Sequence, residues 1–146
     1  MTRLLVGLAV LLATVPALAR KVQVPVQGKG SVLIVDASIN QRITGRFILD
    51  TGASYCVIGK RMAVDALLQG RSDGRKVQLS TASGVIEGTV GSARRIDVGD
   101  AVARDVDVVV LDKDPFPGVD GILGLSFLRS FKYSIDSANG LLLLEN

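Results

Sequence analysis

Alternating apolar and polar positions dominate this chain once its first twenty residues are passed. Apolar residues recur at every second position over 21–26 (Val22, Val24, Val26), and comparable runs follow at 31–38 and 42–50, the latter containing Ile43, Phe47 and Leu49. Further runs cover 75–81, 85–98 and 102–111, where Val106, Val108 and Val110 share a face, while 55–58 is short and apolar. A period of two is the mark of strands, because successive side chains point to opposite faces. Asn40-Gln41 reads as a hairpin turn, and Ala138-Asn139-Gly140 joins 131–136 to 141–145, with Asn-Gly a strong hairpin signal. The period changes at Ala63, Val64, Leu67 and Leu68, whose helical spacing predicts a helix stopped by Gly70. Residues 124–130 predict a second short helix, and 112–119, with two prolines, a loop. No internal repeat or linker interrupts the pattern, so 20–146 is expected to form one mainly β domain with one or two helices.

The first residues follow a different rule. Arg3 precedes an apolar stretch over 4–15, Pro16 breaks it, and Ala17-Leu18-Ala19 has the small-x-small form of a cleavage site. A helix over that stretch spans ~18 Å, short of a hydrocarbon core of ~30 Å. Residues 1–19 are therefore expected to be a signal peptide that exports the chain to the periplasm; if uncleaved, they would anchor it to the membrane facing the periplasm.

Composition then excludes much chemistry. The chain has 146 residues, no histidine, no tryptophan and a single cysteine, Cys56. Without histidine there is no Ser-His-Asp triad, no Cys-His pair and no HExxH zinc helix. One cysteine allows neither an internal disulfide nor a Cys-rich metal site. With 17 Lys+Arg against 14 Asp+Glu, the formal charge is +3. No basic run exceeds two residues and the few aromatics build no stacking platform, so nucleic acid is not an expected partner. Asp105, Asp107, Asp112 and Asp114 lack the spacing of a calcium loop and read as a solvated face. Gly28-Lys29-Gly30 lacks the Gly-Lys-Ser/Thr of a phosphate loop, and Cys56 reads as a small buried core residue. No metal or cofactor is expected.

What remains are carboxylates, and one is set apart by its surroundings. In Ile48-Leu49-Asp50-Thr51-Gly52-Ala53-Ser54, apolar strand residues deliver Asp50 to a sharp loop, and Gly52 permits a close approach of backbone to its carboxylate. About 70 residues further on comes Val119-Asp120-Gly121-Ile122-Leu123-Gly124, followed by Leu125-Ser126-Phe127-Leu128, which reads as a buried strand entering a short helix.

This pair of segments, in this order, resembles the retropepsin-like aspartic proteases, specifically exported bacterial members of that clan. Phe47 to Ser54 looks like their catalytic loop, and Leu79-Ser80-Thr81-Ala82-Ser83-Gly84 looks like the flap that closes over a bound peptide. Ile122, Leu123 and Gly124 look like the segment that cradles the loop. The resemblance implies a closed β fold with a flap hairpin, one short helix after the catalytic loop and one near the C-terminus. It implies a peptide or protein substrate bound as an extended strand. Asp50 would be the catalytic carboxylate, supported by Thr51, Gly52 and Ala53, with Thr81, Ala82, Ser83 and Gly84 contacting substrate from the flap. Tyr55 would line the pocket or pack.

Aspartic proteolysis needs two carboxylates that share one proton. The chain carries one Asp-Thr-Gly, so the resemblance implies a homodimer in which each copy contributes its Asp50. Asp120 is the alternative partner within one chain, although no Thr-Gly follows it. Retroviral relatives carry Asp where Ser54 stands and Arg where Leu125 stands; that ionic buttress of the dimer is missing here. The run Leu141–Leu144 is either an edge strand available to a dimer contact or a core strand. A non-catalytic peptide-binding or scaffold domain on the same fold is the alternative function.

Overall fold

Two long strands joined by a tight hairpin, β7 (Gly84–Val98) and β8 (Ala101–Leu111), organise the chain. The computed structural model describes residues 20–28, 32–70, 72–81, 84–114 and 117–146. The expected signal segment 1–19, Lys29-Gly30, and the flap residues Ala82 and Ser83 lie outside the described residues. Before β7 come β1 (Lys21–Pro25), β2 (Ile34–Ile39), β3 (Ile43–Leu49), β4 (Cys56–Gly59), α1 (Lys60–Asp65), β5 (Gln69–Gly70) and β6 (Lys76–Thr81). After β8 come β9 (Gly121–Leu123), α2 (Leu125–Leu128), β10 (Lys132–Asp136) and β11 (Leu141–Glu145).

The larger sheet runs β2-β3-β9-β4-β8-β7-β5. It closes on itself where Ser38 and Ile39 of β2 pair with Asp97 and Ile96 of β7. The result is a barrel of six strands: β2, β3, β9, β4, β8 and β7. Its interior is filled by the residues that the alternation selects, including Val35, Ala37, Ile39, Phe47, Leu49, Ile58, Ile96, Val98 and Val108. Phe127 and Leu128 of α2 join this core, and the Phe127 and Phe131 rings pack with centroids 5.2 Å apart. The mainly β, closed architecture with two short helices agrees with the expectation.

The 40–41 turn is as predicted. Asn40 and Gln41 have φ of 53° and 56°, the left-handed pair of a type I′ turn whose twist matches the flanking strands. The Asn40 amide donates to Ala66 O (2.9 Å), and its Oδ1 accepts from Arg95 N–H (3.1 Å), tying the turn to α1 and β7.

Two expectations are corrected. The helix buries Met62, Ala63 and the adjoining Ala66, while Val64 and Leu67 are 64% and 56% exposed. It ends at Asp65 with Ala66 as its C-cap, the φ of 49° at Leu67 then reverses the chain, and Gly70 belongs instead to β5, paired with Gly91. A helix this short has room for only one buried stripe, and 62/63/66 satisfies helical spacing as well as 63/64/67 does. The leucine run is not a sheet edge: β11 lies between β1 and β10, with Leu142 and Leu144 fully buried and Leu141 and Leu143 half-buried on the outer face. The core reading therefore holds for its alternate residues.

Candidate active site

β3 is buried on alternate positions and carries its register straight into the loop, so Leu49 faces the core and Asp50 emerges at the strand end. The Asp50 N–H donates to Leu123 O (3.1 Å), which holds the start of the loop on β9. The Gly52 N–H donates to Asp50 Oδ1 (2.8 Å) and aims the carboxylate. A β-carbon at Gly52 would lie 3.2 Å from that oxygen, so the glycine allows the close approach expected from the sequence. The loop returns through Ala53, whose carbonyl accepts from Leu125 N–H (2.8 Å). Cys56 N–H donates to Ser126 Oγ (2.8 Å) as β4 begins.

A cleft of about 690 Å³ opens above Asp50. Gly52, Ala53, Ser54 and Tyr55 form its loop wall, and Gln78, Leu79, Ser80, Thr81 and Ile86 reach over it from the β6–β7 hairpin. Its floor is Val57, Leu111 and Ile122, part of a second apolar cluster with Val90 and Val109, separate from the barrel core. The hairpin is closed at its end by Thr81 Oγ1 donating to Gly84 O (2.7 Å), and Gly84 has φ of 123°, a region that favours glycine. On the hairpin, Lys76 pairs with Glu87 (2.7 Å), a contact that raises the Lys76 pKa.

The structure therefore gathers Asp50, Gly52, Ala53, Thr81 and Ile122 on one cleft. Thr51 is exposed at the loop rim, and its hydroxyl has no partner among the described residues. Leu123 and Gly124 are buried behind the loop rather than lining the cleft. A β-carbon on Gly124 would fall 2.3 Å from Tyr55 O and 2.7 Å from Ala53 O, so the loop can lie against this segment only where residue 124 is glycine. Tyr55 lines the cleft. Val57, Gln78, Ile86 and Leu111 were not singled out by the sequence, because in a strand a cleft floor has the same alternation as a core.

Among the described residues that line the cleft, Asp50 is the one acidic residue and none is basic. Asp120 sits at the far end of β9, where its Oδ2 accepts from Arg46 N–H (2.8 Å) and its own N–H donates to Arg46 O (2.7 Å). Its carboxylate splints β9 to β3 and is turned to Arg46, not to Asp50. Among the described residues no group of three or more His, Cys, Asp or Glu is placed to hold a metal ion. Burial pushes the Cys56 thiol pKa up, against hydrogen bonds from Ser126, Gly124 and Phe127 that pull it down.

A family model described as gag-polyprotein putative aspartyl protease matches residues 35–130. The crystal structure of a retropepsin-like aspartic protease from Rickettsia conorii superposes with a TM-score of 0.59 at 20% sequence identity, over 87% of this chain and 90% of that one. No curated protein sequence matches this chain.

Proposed function

Because this chain belongs to the gag-polyprotein aspartyl protease family, we propose that it is an exported endopeptidase whose active site is assembled from the Asp50 carboxylates of two identical subunits. The observation that carries this reading is Asp50, the one charged side chain among the described residues of an apolar-floored cleft.

In that arrangement the two Asp50 side chains hold one proton, since like charges a few ångströms apart do not both ionise. The ionised carboxylate takes a proton from a water molecule, and that water attacks the peptide carbonyl carbon. The protonated carboxylate donates to the carbonyl oxygen. Collapse of the resulting diol breaks the C–N bond, and the departing nitrogen receives a proton. Gly52 N–H keeps Asp50 aimed. In the proposed dimer the exposed Thr51 would bond across the two-fold axis, and the β6–β7 hairpin would close over an extended substrate. Residues 1–19 would direct export; retained, they would leave the same enzyme on the membrane.

Asp50→Asn preserves the shape of the loop and removes the shared proton. Peptide cleavage is expected to fall at least about 1,000-fold, with the sedimentation profile and thermal melt unchanged. Cleavage by the variant at the wild-type rate overturns the assignment. Binding of a statine-type analogue by a wild-type chain that cleaves nothing identifies a binding domain instead.

A further inference from the structure

The Asp50 loop is fastened to the end of β9 and the segment after it at three points. Asp50 N–H donates to Leu123 O and Leu125 N–H to Ala53 O, both backbone to backbone and available to almost any sequence. The third bond, Cys56 N–H to Ser126 Oγ at 2.8 Å, depends on a side chain. Cys56 is 1% exposed, so its amide has no ready water to replace that acceptor. The Ser126 side chain also acts on the Cys56 thiol, whose pKa it draws down against the larger effect of burial.

Leu125 and Ser126 are consecutive, and they hold the two ends of the short excursion from Ala53 to Cys56. Tyr55, within that excursion, forms a wall of the cleft, and Gly52, the residue before Ala53, supplies the N–H that aims Asp50. We propose that Ser126 is a positioning residue for peptide hydrolysis: its hydroxyl fixes the exit of the Asp50 loop and thereby the attitude of the carboxylate. The proposal rests on the endopeptidase reading. Ser126 also borders a polar cavity with Ser54, Tyr55, Arg75 and Arg129, so an added methyl group has somewhere to go.

The test compares kcat, KM and thermal melts for wild type, Ser126→Ala and Ser126→Thr on one peptide substrate. A small misplacement of a reacting group costs roughly 10–100-fold in rate. Ser126→Ala is expected to lose that much in kcat with KM within about 3-fold, whereas Ser126→Thr, which keeps the hydroxyl, returns kcat to within about 3-fold of wild type. A Ser126→Ala enzyme as fast as wild type overturns the proposal, as does a Ser126→Thr enzyme as slow as Ser126→Ala. Should Ser126→Ala not fold, Ser126→Cys, similar in size but a weak acceptor, takes its place under the same criteria. A wild-type chain that cleaves no peptide removes the endopeptidase reading and this proposal together; an active wild type matched by the variant removes only the role of Ser126.

Discussion

Cys56 shows how much, and how little, a single residue discloses. Its place in a short apolar strand marks it as a core residue, and it is buried at the start of β4. What the sequence does not disclose is the company it keeps: Ser126, Gly124 and Phe127 are some seventy positions away and meet it only because β9 threads between β3 and β4. Desolvation is the largest influence on the thiol and raises its pKa from an ordinary 9.0. The thiol is therefore protonated near neutrality and shielded. A colourless-to-coloured thiol reagent at pH 7.5 is expected to label the native chain at least about 100-fold more slowly than the denatured one; equal rates would show an accessible Cys56. The sign of the linked stability follows. The unfolded thiol ionises first, so this contribution is complete below pH 9.0 and is lost as pH rises beyond it. Asp136 runs the other way: hydrogen bonds from Asn139 lower its pKa, and the turn they support weakens as acid protonates the carboxyl.

Elements were legible where local chemistry decides them. The Asn40-Gln41 turn needs two left-handed residues, and asparagine tolerates that conformation; β7 and β8 alternate over long runs that no helix could satisfy. The face of α1 was not legible, since two stripes fit so short a helix, nor was the central place of β11, because sheet order depends on partners distant in sequence. The same division runs through the site. Asp50, Thr51 and Gly52 stand out as a string, but the reason for glycine at 124 appears only when the loop and α2 are seen in contact. A β-carbon there meets two carbonyl oxygens that belong to the backbone and cannot swing aside. Gly124→Ala is expected to cost about 3 kcal/mol of stability and, in the protein that still folds, to depress kcat more than KM. Thermal melts and steady-state kinetics check both. A variant as stable and as active as wild type would mean that the loop and α2 can separate without consequence.

For the whole molecule the deciding fact is arithmetic of protons rather than shape. The barrel is closed by β2 and β7, and the terminal strands β1 and β11 pair within one chain, so the barrel closes without a second copy. Among the described residues its cleft nevertheless presents one carboxylate, and Asp120, the nearest candidate in sequence pattern, is occupied with the Arg46 N–H at the far end of β9. The proposed mechanism uses one carboxylate to accept a proton from water and another to give one to the carbonyl oxygen, which is why it draws its second carboxylate from a second chain. Mixing supplies the discriminating measurement. If wild-type and Asp50→Asn subunits exchange freely and the mixed pair is inactive, an equal mixture retains about one quarter of the activity of the same total concentration of wild type. The specific activity of wild type also falls on dilution, in step with loss of the dimer in sedimentation. Subunits that act alone would instead retain half their activity in the mixture and show no dependence on dilution. That outcome would remove the second Asp50 from the mechanism and oblige a different proton donor within this cleft.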